Sequence, residues 1–162
     1  TAPAGADIEA LLADLARPDN PGWRRIERRI ITEWSRSGSA AADLLLQRGR
    51  RALREGDHLA AIEHLSALTD HAPDFAEGWY ARATAFFQAG QFGPAMEDLA
   101  RALSLNPRHF GAMSGLGMIL AETGFKAQAL EVYRATLAIH PQLPGVMQAV
   151  RRLEAEVSGR DA

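Results

Sequence analysis

Five histidines stand among twenty carboxylates, and their spacing decides whether the chain could hold a metal ion or run acid–base chemistry. A helical zinc site places two histidines one turn apart beside a glutamate base. His58, His64 and His71 have no such partner, and His109 and His140 stand close to Pro107 and Pro141, where helices stop. Cys is absent, which removes thiolate nucleophiles, disulfides and zinc–thiolate sites together. No Ser, His and acid combine in a nucleophile elbow. The stretch "GAMSGLG" carries Gly111, Gly115 and Gly117 but follows no strand, so it is not read as a nucleotide loop. Those glycines instead permit close helix packing, at a cost of about 1 kcal/mol each in helix stability. No catalytic residue, no cofactor and no metal site is expected, so this is read as not an enzyme.

The 162 residues suffice for one domain with a sizeable core. Hydrophobic residues make up 47% and charged residues 23%, which excludes wholesale disorder. The net charge of −2 argues against a dedicated nucleic-acid binder. No apolar run reaches the roughly 18 residues of a membrane span.

The elements that must position any site announce themselves by repetition. "GDHLAAIEHLSALTDHAP", "GQFGPAMEDLARALSLNP" and "GFKAQALEVYRATLAIHP" begin at Gly56, Gly90 and Gly124, a step of 34 residues taken twice. Ala61, Ala95 and Ala129 keep that step, as do Pro73, Pro107 and Pro141. Such a period signals stacked helix–turn–helix units. The Gly ends one helix by adopting φ > 0, the Ala lets two helices approach, and the Pro cannot continue a helix.

The middle unit, with Trp79, Ala83, Phe86, Gly90, Ala95, Leu99, Ala102 and Pro107, resembles the tetratricopeptide repeat (TPR) family nearly position by position. The resemblance covers residues 42–141 in three tandem units. It implies an all-α, right-handed solenoid. The divisions expected are a flexible tail over 1–7, an irregular helical pair over 8–41, repeats over 42–75, 76–109 and 110–143, a capping helix over 144–157, and a tail over 158–162. Arg48 and Arg82 replace the large apolar residue usual before the small one, and Thr136 stands where Ala is usual. These departures bear on local packing.

In the irregular pair, Ile8, Leu11, Leu12 and Leu15 share one helical face, and Trp23, Ile26, Ile30 and Trp34 form a second stripe. Ile31 and Trp34 fall in phase with Leu65 and Leu68 one period later, so the pair is expected to stack on the first repeat and cover its apolar end. Val146, Met147, Val150 and Leu153 give the final helix its apolar face. The opening "TAPAGA" and the similarity to small bacterial TPR proteins made with a signal peptide lead to an expectation of export to the periplasm, with the cytoplasm as the alternative.

What the resemblance implies for function is a concave surface, built from the first helix of each unit, that grips a partner peptide or amphipathic helix. Carried over residue by residue, the groove comprises Leu46, Arg50, Leu53, Arg54, Tyr80, Thr84, Phe87, Gln88, Met118 and Glu122, with Asp43 and Glu77 also facing it. The five positions that clamp acidic chaperone tails in some members are here Leu46, Arg50, Ala81, Gly111 and Gly115, only one of them cationic. A second reading has Tyr80 and Phe87 packing against the end helices of this chain, leaving no open groove.

Charge is uneven. Between Gly22 and Arg54, nine Arg stand against Glu27, Glu33 and Asp43, a balance of +6 (9 − 3), so the remainder carries −8 (−2 − 6). Arg24, Arg25, Arg28 and Arg29 form a basic face that either receives an acidic partner or is a solvated strip partly paired with Glu27. The function expected is a non-catalytic interaction scaffold. The alternatives are a homodimer formed through the groove or the N-terminal helices, and an accessory domain of a larger enzyme or assembly complex.

Overall fold

The computed structural model describes residues 4–159, which are helices and short turns. The helices are α1 (Ala4–Leu15), α2 (Trp23–Trp34), α3 (Ala40–Arg54), α4 (His58–His71), α5 (Ala76–Gln88), α6 (Phe92–Leu105), α7 (Phe110–Glu122), α8 (Lys126–Ile139) and α9 (Val146–Gly159). The expected tails are corrected: α1 takes in residues 4–7 and α9 continues through Ser158 and Gly159, while residues 1–3 and 160–162 lie outside the described residues.

Two compact units are present, Trp34–Gly115 being one, and the residues up to Glu33 together with those from Leu116 onward being the other. Within the first unit the helices pack in repeat order, α3 on α4, α4 on α5, α5 on α6, and α3 beside α5. Its core gathers Ala42, Leu46, Ala52, Ala61, Leu65, Leu68, Ala81 and Ala85. In the second unit α8 packs on α9 around Ala129, Tyr133, Val146, Val150 and Leu153.

The 34-residue step reappears in the hydrogen bonds. At the three helix ends marked by Gly56, Gly90 and Gly124, with φ of 74°, 77° and 91°, the next amide reaches back five residues. The pairs are Asp57 to Ala52 (2.9 Å), Gln91 to Phe86 (2.8 Å) and Phe125 to Leu120 (2.8 Å). These bonds satisfy carbonyls that a helix C-terminus otherwise leaves open. Ala61, Ala95 and Ala129 are fully buried, as helix crossings with no room for a larger side chain require.

The departures from the family pattern are compensated. Arg82 donates to both carboxylate oxygens of buried Asp98, at 2.8 and 2.9 Å, and lies over the Trp79 and Phe86 rings. Its pKa is raised, chiefly by the Asp98 hydrogen bond, so the pair stays charged. Thr136 is fully buried, and its hydroxyl donates to the Val132 carbonyl at 2.8 Å.

The N-terminal pair corrects the expected phase. Ile31, one period before fully buried Leu65, is 36% exposed, so the shared phase does not bring shared burial. Several contacts of residues 17–27 within their unit go to the last repeat. Gln142 donates to the carbonyls of Pro18 (3.1 Å) and Asn20 (3.2 Å), and His140 bonds Glu27 at 2.6 Å. Trp23 meets the His140 ring edge-on at 5.3 Å. The reason is chemical: Trp23 and Ile30 need an apolar partner, and buried His140 needs an acceptor.

Glycine packing gives opposite expectations at two positions. A methyl at Gly49 would collide with Leu65 Cδ2 and lie 2.5 Å from Cγ, and Leu65 is fully buried and unable to yield. Overpacking costs roughly 1–3 kcal/mol, more than the roughly 1 kcal/mol that Ala gains over Gly in a helix. At Gly115 the same methyl would sit 3.5 Å from Leu99, an ordinary contact, unlike the 2.8 Å at Gly111 and 2.7 Å at Gly117. Urea unfolding is therefore expected to give a lower midpoint for Gly49→Ala and a higher one for Gly115→Ala.

Candidate functional site

In the Trp34–Gly115 unit, α3 and α5 each turn one face toward the core and leave the opposite edge for contact. Arg50 stands where its guanidinium reaches two acceptors: Nη2 donates to Glu77 Oε2 at 2.7 Å and to Ser35 Oγ at 3.0 Å. Glu77 is buried to 3% exposure, and its other oxygen bonds His109 Nε2. His109 Nδ1 accepts the Ala112 amide at 3.0 Å, capping the start of α7. That bond fixes the tautomer, leaving the Nε2 proton for Glu77.

Rings enclose this chain of bonds. Trp34 stacks on His109 with centroids 4.8 Å apart and lies 5.1 Å from Phe110. His109 lies 4.4 Å from Tyr80 on its way across the face. Arg50, a position assigned to the groove, thus gives one of its hydrogen bonds to Ser35, and Tyr80, another such position, packs on the His109 ring.

Several sequence-assigned residues change role. Leu46 is 2% exposed and belongs to the core, packed with Leu65 and Leu68 rather than facing a groove. Asp43 accepts the Ser37 hydroxyl at 2.6 Å and its amide at 3.0 Å, stapling the α2–α3 turn. The Ser37 hydroxyl is the main cause holding the Asp43 carboxyl below the usual carboxylate range. Thr84 donates to the Tyr80 carbonyl at 3.2 Å. Leu53 and Phe87 are half-buried, with Arg54 and Gln88 exposed beside them, and Phe87 stacks on Phe92 at 5.4 Å. In the other unit Met118 is 44% exposed and Glu122 is exposed.

Arg24, Arg25, Arg28 and Arg29 are all exposed on α2, and Arg24 lies over the Trp23 ring at 4.4 Å. Glu27, the acid expected to pair with them, is bonded to His140. Burial pushes the His140 pKa down, while the Glu27 hydrogen bond and charge push it partly back. Among the described residues no three His, Asp or Glu side chains gather as metal ligands, and no helix is long and apolar enough to cross a membrane.

Sequence reasoning missed the importance of His109, placed in a turn, and of Trp34, placed in a stripe. The one available signal was that Glu77 stands where the adjacent repeats carry Asp43 and Gly111, so its charge had no repeated partner.

The charges give two measurable expectations. Glu77→Ala leaves the buried His109 donor without its acceptor and is expected to cost roughly 1–3 kcal/mol in urea unfolding. Glu55→Ala, which removes the exposed Arg51 pair, is expected to leave the midpoint nearly unchanged. For His140 the folded state resists protonation, so its contribution is present above the unfolded pKa near 6.5 and is lost as pH falls below that value. Melting curves between pH 7.5 and 5 are expected to drop for the wild type and to drop less for His140→Gln.

Comparison with known proteins adds relatives. A family model described as tetratricopeptide repeat matches residues 46–103 and 80–144. A TPR repeat-containing protein of Rhizobium etli is 33% identical over 153 residues, covering 94% of this chain and 75% of that protein. The small glutamine-rich tetratricopeptide repeat-containing protein 2 of Mycosarcoma maydis is 31% identical over 102 residues, covering 63% of this chain and 29% of that protein. Among solved structures, the first TPR of Spaghetti bound to an HSP90 peptide superposes with a TM-score of 0.71 at 22% identity, covering 74% of this chain and 98% of that one. MamA superposes with a TM-score of 0.68 at 25% identity, covering 85% and 78%.

Proposed function

The chain belongs to the tetratricopeptide repeat family, and from that premise we propose that it is a non-catalytic scaffold holding a partner's peptide or amphipathic helix on the inner face of its repeats. The observation that carries the reading is that Leu53 and Phe87, equivalent positions one period apart on α3 and α5, are both half-buried, each followed by an exposed residue, Arg54 and Gln88. Apolar side chains within a polar rim make the kind of patch on which a partner anchors.

The groove chemistry argues for a different ligand from the HSP90 peptide of the Spaghetti relative. That peptide, SRMEEVD, is acidic and ends in a carboxylate. Of the five clamp positions here, Leu46 and Ala81 are buried, Gly111 and Gly115 have no side chain, and Arg50 is engaged by Glu77. An apolar-anchored segment suits this face better than an acidic tail.

A second contact is supported by α2. Its four exposed arginines keep their charge in solvent while Glu27 is taken by His140, which favours an acidic partner surface over an internally neutralised strip.

Affinity capture from cell extract tests both readings. Phe87→Glu with Arg54→Glu is expected to lose proteins that the wild type retains, at unchanged helical content by circular dichroism. Arg24→Glu with Arg28→Glu is expected to lose only those proteins whose capture is weakened by salt. Identical captured sets for wild type and the Phe87 variant would refute the inner-face reading.

A further inference from the structure

The inner face of the Trp34–Gly115 unit already holds a ligand-like pair. Trp34 is half-buried on the flat face of His109 and beside Phe110, and the next residue, Ser35, takes a hydrogen bond from Arg50 Nη2 at 3.0 Å. We propose that Trp34 and Ser35 act as an internal ligand in a seat built for an aromatic residue followed by a hydroxyl residue, and that a partner segment carrying such a pair takes the seat by displacing them. This rests on reading the inner face as the partner surface, and it adds what the partner must present there.

The walls of the seat define that chemistry. The Ala112 amide bonds His109 Nδ1 and Glu77 takes the Nε2 proton, so both ring edges are committed and the faces are left for stacking. Tyr80 backs one side of that column at 4.4 Å, and Phe110 closes it. A flat aromatic side chain matches such walls better than a branched aliphatic one. The polar component is equally defined. Arg50 is held by Glu77 at 2.7 Å, so its charge is compensated and its second acceptor is a neutral hydroxyl. A carboxylate in Ser35's place would bring a second anion beside buried Glu77.

The chain that follows the pair is anchored independently of it. Ser37 is fixed to Asp43 through its amide and its hydroxyl, so the chain beyond it stays in place. What leaves is the last turn of α2, an end where intrahelical hydrogen bonds are already incomplete. Trp34 also remains partly open to solvent, unlike the fully buried Leu65 and Leu68 of the adjoining core.

The test uses the full chain and a labelled peptide of its own residues 30–38 (IITEWSRSG), followed by fluorescence anisotropy. A second peptide carries Ala in place of the Trp. The proteins are wild type, Trp34→Ala and Ser35→Ala. The Trp34→Ala protein, its seat empty, is expected to bind the Trp peptide about tenfold or more tightly than the Ala peptide. Ser35→Ala, which loses the Arg50 bond, is expected to bind the Trp peptide more tightly than wild type does. If circular dichroism finds Trp34→Ala unfolded, the Ser35→Ala comparison decides alone. Equal affinity for the two peptides, or no binding by the folded variants, would overturn the inference. Phe87→Glu separates the two readings: peptide binding that fails while Phe87→Glu still loses its captured partners sinks the internal ligand and leaves the scaffold standing.

Discussion

Burying the Glu77 carboxylate is the constraint around which one face of the Trp34–Gly115 unit is organised. An ionised acid at 3% exposure is tolerable only with compensating partners. Glu77 finds them on elements far apart in sequence, Arg50 on α3 and His109 at the start of α7. Those partners then fix others. Arg50, oriented by Glu77, holds Ser35, and His109, oriented by Glu77 and by the α7 amide, presents a ring to Trp34. One buried charge thus sets a guanidinium, an imidazole and an indole in place. The same arrangement explains why a groove position that is cationic does not make an anion clamp: the cation is already answered.

The repeat architecture was legible because its devices are local. A glycine ending a helix, an alanine at a crossing and a proline before the next unit each leave a residue-type signature, and 34-residue spacing multiplies it three times. Glycine at Gly56, Gly90 and Gly124 corresponds in the structure to the same reach-back hydrogen bond at each position. Which residues keep a surface edge was legible only in outline. Leu53, Phe87, Arg54 and Gln88 retain a surface edge, whereas Leu46 was assigned outward and lies inward, because one helical position of rotation separates groove from core. His109 and Trp34 were beyond reach for another reason. The two lie 75 positions apart in sequence (109 − 34), and nothing periodic encodes their meeting.

The N-terminal helices illustrate how phase can mislead. Ile31 and Trp34 share the register of Leu65 and Leu68, yet only the latter two are fully buried. Register predicts a shared environment only when the neighbours repeat as well. α2 carries Arg25 and Arg28 at positions where the repeats carry apolar or small residues (Leu59, Gly93 and Ala127; Ile62, Met96 and Leu130), and its Glu27 is matched to His140 of the last repeat. The burial of Trp23 and the pairing of His140 are therefore solved together, by contacts that the 34-residue period does not encode.

Repetition also exposes which substitutions must travel in pairs. Positions 48, 82 and 116 are equivalent, and so are 64, 98 and 132. The middle repeat uses Arg82 with Asp98, a buried bidentate ion pair, while the third repeat has Leu116 and Val132 at the same two positions, both apolar. A scaffold that accepts either solution requires only that the two positions agree, since a buried ion alone costs far more than a matched pair of either kind. The first repeat takes a third course, leaving Arg48 exposed to solvent, where its charge needs no partner. Stability in this family fold therefore constrains relationships between positions more tightly than identities at them. The same freedom is what allows Arg50, Glu77 and His109 to depart from their repeat equivalents and join in one hydrogen-bonded chain.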